Sequence, residues 1–201
     1  MPQFHDFFIK PSLNEKAEEL GWSREGVKAQ VKIIEATDWS ELKQKIDNNR
    51  ENHDILAFKG GKQKLNRKAF STPKIDVVLH PEKNRKDPGM NHVDAQKAAK
   101  NNVAIGFTLK QIPADSKKQS QLLSKWRKNI KLCEKYNTKY LITTQAQKEN
   151  DLRKPRDLAA ITKSLNGKNN KPTSKYPENI LEKNLKAREK DTGYSGVEVV
   201  E

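Results

Sequence analysis

The stretch from 54 to 109, DILAFKGGKQKLNRKAFSTPKIDVVLHPEKNRKDPGMNHVDAQKAAKNNVAIGFTL, decides the fold. It contains three short apolar runs, 55–58 (ILAF), 75–79 (IDVVL) and 103–109 (VAIGFTL). Runs this short, bounded by turn residues, read as strands buried on both faces. Gly60-Gly61 closes the first, and a short helix through Leu65 and Phe70 follows. His80-Pro81 closes the second, and the charged loop EKNRKDPG leads to a helix over about 91–101. Strand, helix, strand, helix, strand in series is the pattern of a parallel sheet with helices outside.

Working outward, the same alternation continues. Towards the start of the chain, 4–9 reads as a first strand. A helix follows from Ser12, which forms a capping box with Glu15 and leads to Ala17, Leu20 and Trp22. Residues 27–34 alternate like a half-buried strand, and Asp38 with Glu41 opens a helix carrying Leu42 and Ile46. Towards the other end, a long helix over 117–136 places Leu122, Trp126, Ile130 and Cys133 on one face. Lys118, Lys125, Arg127, Lys128, Lys131 and Lys135 lie on the other. That basic face reads as the solvated exterior of an outer helix, with RNA backbone as the competing occupant. A strand at 140–143 (YLIT) and a helix over 155–165 complete six repeats, ending at Asn166-Gly167. Residues 1–166 form the expected core. Residues 167–201 supply a polar linker, a charged helix over 178–191 and a strand-like VEVV, packed on or extending that core. A closed β/α barrel is the natural end of such a series, although ~200 residues is its lower limit. An open doubly wound sheet is the alternative, and periodicity does not separate them. In both, functional groups gather beyond the carboxyl ends of the strands.

The chain has 201 residues, 40 Lys+Arg against 26 Asp+Glu, and a net charge of +14. Its mean hydropathy is −0.99. The charge is uneven. Residues 1–58 hold 8 basic and 11 acidic side chains, 59–154 hold 23 and 8, and 155–201 hold 9 and 7. A surface that only keeps a protein dissolved mixes both signs, so the basic middle points to a phosphate-bearing partner. Lys outnumbers Arg by 32 to 8, which AT-rich coding explains, but coding bias does not explain the scarcity of acids between 59 and 154. The start has no basic segment followed by an apolar one, no run suits a membrane span, and the single Cys133 excludes an internal disulfide. The expectation is a cytoplasmic protein with no membrane association.

The strand ends are rich in cations and amides. Lys59, Gly60, Gly61, Lys62, Lys64, Arg67 and Lys68 follow the ILAF strand. His80, Lys83, Arg85, Lys86, Asn91 and His92 follow IDVVL. Lys110 follows VAIGFTL, and Thr143, Thr144 and Gln145 follow YLIT. Such a set suits phosphate, and Arg grips it in bidentate fashion where Lys does not. Catalytic equipment is sparse. The four histidines are His5, His53, His80 and His92. F-H-D-F-F lacks the His-x-His pair that opens the metal sites of barrel phosphoesterases, and His53 falls at the wrong end of its strand. His5-Asp6 reads as a buried hydrogen-bonded pair. Walker A, G-x-G-x-x-G and Ser/His/Asp nucleophile motifs are absent. No catalytic residue and no metal ligand is assigned. Autonomous metal-dependent phosphoesterase action and a scaffold that docks another protein remain the alternative readings.

The strand-then-GG segment, LNR-A, IDVVLHPE, R-x-DPGMNH and A-x-x-A-x-x-N-x-VAIGF closely resemble protein component 3 of archaeal ribonuclease P. This family is related to the thirty-kilodalton subunit of the eukaryotic enzyme. The likeness continues through YLITTQA, L-R-x-PRDLAAI, YPENILEKN and SGVEVV. It implies a TIM-barrel-like fold related to the metal phosphoesterases but without their metal site. It also implies assembly with ribonuclease P RNA, protein component 2 and the other ribonuclease P proteins, with precursor tRNA engaged indirectly. The RNA performs the hydrolysis with Mg²⁺, and the protein binds no cofactor of its own. The family's basic positions map onto Arg67 or Lys68, Arg85, His92 and Lys100, with Lys139, Arg153 and Arg156 as further positions. Together with Lys59, Lys62, Lys86 and Lys110 at the strand ends, these residues are the candidate RNA contacts.

Overall fold

The computed structural model describes residues 3–191. Five parallel strands form one sheet in the order β1-β2-β3-β4-β5. They are β1 (Val31–Ile34), β2 (Ile55–Lys59), β3 (Val77–Leu79), β4 (Ala104–Thr108) and β5 (Tyr140–Thr143). The helices are α1 (Asn14–Glu19), α2 (Arg24–Lys28), α3 (Trp39–Asn49), α4 (Gln63–Phe70), α5 (His92–Lys100), α6 (Ser116–Tyr136), α7 (Pro155–Ser164) and α8 (Lys175–Asp191). Sequential strand order excludes the doubly wound alternative, in which the order reverses at a switch point. The chain winds one way throughout, as in a β/α barrel.

The register explains the two-sided burial. Val31 pairs with Ile55, Ala57 with Val77, Val77 with Ala104, and Gly106 with Leu141. These residues share the inner face, where Ile55, Ala57, Val77, Leu79, Ala104 and Leu141 pack with Phe7 and Phe8 and with Ile180 and Leu181 of α8. The alternate residues Leu56, Phe58, Val78, Ile105, Phe107 and Tyr140 face outward onto helices, with Leu42, Ile46, Phe70, Trp126, Ile130 and Cys133. The inner layer is tight. A Cβ on Gly106 would stand 2.4 Å from a Leu79 methyl and 3.0 Å from a Val77 methyl, so a larger residue would make these side chains shift.

Four sequence expectations fail near the start of the chain. Residues 4–9 do not form a strand. The fully buried Asp6 accepts from the amide of Phe8 (3.1 Å), the amide and hydroxyl of Thr144 (2.8 Å each) and the Thr143 hydroxyl. This side chain turns its own backbone and takes the place of ladder bonds beside β5. His5 is buried as well but does not bond to Asp6: neither ring nitrogen has a hydrogen-bond partner among the described residues. Among the described residues, six expected strands therefore become five. The Ser12 capping box is also not formed. A tight turn occupies Pro11–Leu13 and α1 starts at Asn14, with no side-chain cap. The segment at 27–30 belongs to α2 and its exit, so β1 starts at Val31. The VEVV segment lies outside the described residues.

Candidate nucleic-acid interface

The loops after β2 and β3 build the carboxyl end of the sheet, and one buried residue joins them. Asn66 on α4 accepts from the amide of Gly61 (3.0 Å) and donates to the carbonyls of Pro81 (2.8 Å) and Gly89 (3.1 Å). Gly60 adds an amide bond of 2.7 Å to the Leu79 carbonyl. At Gly89, φ is +76° and a Cβ would stand 1.9 Å from the Pro81 carbonyl oxygen, so the D-P-G sequence has glycine where nothing else fits. The second loop then leans on α6. Trp126 donates to the buried Glu82 carboxylate at 2.8 Å, Asn129 donates to the Pro88 carbonyl at 2.9 Å, and the Lys125 ammonium bonds the Arg85 carbonyl. Burial pushes the Glu82 carboxyl up from its ordinary value, and the Trp126 N–H opposes that.

The structure sorts the candidate contacts by end and by freedom. Lys59, at the end of β2, forms a 2.5 Å ion pair with Glu35, and Lys62 donates to the Thr37 carbonyl at 2.9 Å. The hydrogen bond from Lys59 holds the Glu35 carboxyl below its usual range. Arg85 is more constrained than its sequence context suggests. Its Nε and one terminal nitrogen grip Asp87 at 2.8 and 2.5 Å, which occupies one edge of the guanidinium and holds that carboxyl low. Lys86 and Lys110 are exposed at the same end, as is His92, the first residue of α5. Arg153 donates to the carbonyls of Asn150 and Leu152, and Arg156 is exposed in the first turn of α7. On the flank of α4, Arg67 stands 3.8 Å from Asp94, and the Lys68 ammonium lies 5.2 Å over the Trp39 ring. Lys100 ends α5 and Lys139 precedes β5, so both sit at the opposite, amino end of the strands. Lys139 donates to Asn102 at 3.4 Å, and burial lowers its pKa. The fold thus places these two at the end of the sheet opposite the loops after β2 and β3.

The groups with chemistry are dispersed. His80 is buried at the end of β3, and burial lowers its pKa to about 4. Burial pushes the Cys133 thiol up, as suits a core residue. Among the described residues no three His, Cys, Asp or Glu side chains gather where they could hold a metal ion. No helix among them is long and apolar enough to cross a membrane. What this end of the molecule offers is cationic side chains, Lys86 and Lys110 among them exposed, on loops braced by Asn66 and α6. Sequence reasoning missed Asn66, Glu82, Trp126 and Asn129 as the residues that shape it. A polar residue inside LNR-A, between Leu65 and the buried Ala69, was the available signal for Asn66.

The family model for RNase P subunit p30 matches residues 28–189. Ribonuclease P protein component 3 of Methanothermobacter thermautotrophicus is 34% identical over 127 residues, covering 63% of this chain and 52% of that relative. The chain thus matches about half the length of that protein. The component 3 protein of Methanosarcina acetivorans is 32% identical over 177 residues, covering 85% of this chain and 72% of the relative. A chain in a cryo-EM structure of archaeal ribonuclease P with mature tRNA superposes with a TM-score of 0.69 at 26% identity, covering 99% of this chain and 87% of that one. The family match takes in all five strands and the two loops that Asn66 joins, and on that ground the chain belongs to the RNase P subunit p30 family.

Proposed function

We propose that this chain is a protein subunit of ribonuclease P that binds the catalytic RNA and supports endonucleolytic removal of 5′ leaders from precursor tRNA. The observation that carries the reading is the confinement of the basic excess to 59–154, the part of the chain that supplies the paired loops at the carboxyl end of the sheet. Phosphate contacts fix position and supply affinity without reading sequence, which is what a supporting subunit requires. Hydrolysis falls to the RNA and its Mg²⁺. The protein's own part in this reading is to bind and support that RNA. Protein component 2 is the proposed direct partner, with the other ribonuclease P proteins in the same cytoplasmic assembly and precursor tRNA met through the RNA.

Reconstitution tests this. Ribonuclease P RNA is combined with protein component 2, with and without this chain, and cleavage of precursor tRNA is followed. Cleavage is expected to rise when the chain is added, while the isolated chain leaves precursor tRNA and a generic phosphate ester intact. An unchanged rate on addition, or phosphatase activity without RNA, overturns the proposal.

A further inference from the structure

We infer that the recess between α6 and the loop after β3 is a seat for RNA phosphodiester backbone, with Lys86 and Lys128 as its charged contacts. The inference deepens the proposed ribonuclease P reading and rests on it. The recess has a volume of about 580 Å³, and its walls include Lys86, Ser120, Ser124, Lys125 and Lys128. Ser120, Ser124 and Lys128 succeed one another at four-residue spacing, so they lie along one stripe of α6. No carboxylate lines the recess; the exposed Asp87, next to Lys86 in the chain, is paired to the lining Arg85.

Three features select the ligand. Lys86 and Lys128 are exposed and have neither hydrogen bond nor ion pair among the described residues, so their charge is available. The neighbouring donors are two hydroxyls and the Gln121 amide, which suit phosphate and ribose oxygens. No aromatic or aliphatic residue lines the recess, and a protein-docking groove is built around such anchors. The site is also set before any ligand arrives. Lys125 and Asn129 hold the loop backbone at Arg85 and Pro88, and Trp126 holds Glu82. A preformed wall saves the ordering cost that a mobile loop would impose on binding. Arg85 also lines the recess, with one edge of its guanidinium, Nε and Nη2, held by Asp87.

The test compares two doubly substituted full-length chains that give up the same charge. One is Lys86→Ala with Lys128→Ala. The control is Lys32→Ala with Lys43→Ala, on β1 and α3, both exposed in the wild type. Affinity for in-vitro transcribed ribonuclease P RNA is measured across a salt series, with melting temperature as the check on folding. A third variant, Ser124→Glu, places an anion in the recess without removing a cation. The recess variant is expected to bind about tenfold or more weakly at low salt. Its log K against log salt slope should fall by roughly 1.4–1.8, from about 0.7–0.9 for each of two phosphates no longer neutralised. Ser124→Glu should weaken binding as well, and the control should follow the wild type. If the wild type binds RNA and the recess variant matches the control, the recess assignment is wrong while the proposed function stands. If the recess variant keeps its RNA affinity but no longer captures protein component 2, the recess is a protein-docking site and the assignment is also wrong. A wild-type chain with no salt-sensitive RNA affinity overturns both.

Discussion

His80 is the residue whose chemistry differs most from its sequence appearance. In HPE it stands among the cationic and amide residues that follow the strands, yet it is buried, its Nδ1 has no partner among the described residues, and its φ is +53°. Desolvation lowers its pKa from 6.5 to about 4, with Lys59 and Lys83 pushing the same way and Gln111 opposing. A histidine lowered in the folded state is kept neutral there, whereas the unfolded chain takes up a proton below pH 6.5. Its contribution is therefore intact above that value and is lost as the pH falls towards 4, about 2 kcal/mol between pH 7 and pH 5. Asparagine tolerates the left-handed backbone and does not titrate. His80→Asn should therefore show about 2 kcal/mol less loss of stability over that interval by urea unfolding, and an unchanged pH slope contradicts it. Trp126→Phe probes the carboxylate next door. It removes the donor to Glu82 and should cost roughly 2–4 kcal/mol at pH 7, from the unmet buried carboxyl group and the reduced volume. Burial raises this carboxyl and the Trp126 N–H opposes that, so losing the donor raises it further and the deficit should shrink as the pH falls and the group protonates. A deficit independent of pH would mean that only packing had changed. Neither role was legible in sequence, because burial and the partner across 44 positions of chain are properties of the fold.

Among the elements, the strands and outer helices were readable because their patterns are strong and local. ILAF, the Val-Val-Leu of IDVVL, AIGF and YLIT are apolar on both faces, and the sheet buries them on both faces. The long basic helix runs over Ser116–Tyr136, with Trp126, Ile130 and Cys133 buried as its periodicity requires. Reading failed where a polar side chain overrode the pattern. Asp6, buried among donors from Thr143 and Thr144, converts an apolar run into a turn. Residues 27–28 carry an alternating pattern but extend a helix that Ser23 caps through the Gly26 amide. The motif R-x-DPGMNH was legible as a unit, though its charge proves to be largely internal, with Arg85 on Asp87 and Asp87 on the Gly89 amide. Its last part starts α5 through a reciprocal box: Asn91 accepts from the Asp94 amide at 2.9 Å, and Asp94 accepts from the Asn91 amide at 3.1 Å. Asn91→Ala should destabilise the protein by about 1 kcal/mol, seen as a lower urea midpoint at constant slope. An unaltered midpoint would mean that the Asp94 side chain and packing alone hold the helix start.

For the molecule as a whole, the excess of charge has opposite consequences with and without RNA. Residues 59–154 carry 23 Lys and Arg against 8 Asp and Glu, and folding draws them around one sheet. Ion pairs such as Lys59–Glu35, Arg67–Asp94 and Arg85–Asp87 offset part of the repulsion, but Lys86, Lys110 and Lys128 stand exposed without ion-pair partners among the described residues. Repulsion between exposed charges weakens as salt shortens the screening length from about 30 Å at 0.01 M to about 8 Å at 0.15 M. The melting temperature of the free chain should therefore rise over that range. Bound RNA stabilises by mass action, and its affinity falls with salt because each neutralised phosphate releases counterions on binding. The melting-temperature gain from adding ribonuclease P RNA should thus be greatest at low salt and shrink as salt rises, while the free chain moves the other way. Differential scanning of both samples across one salt series tests the two slopes together. A free chain that becomes less stable on salt addition would show that its ion pairs outweigh the repulsion. A gain from RNA that ignores salt would place the interaction on hydrogen bonds and packing, away from the basic middle of the chain.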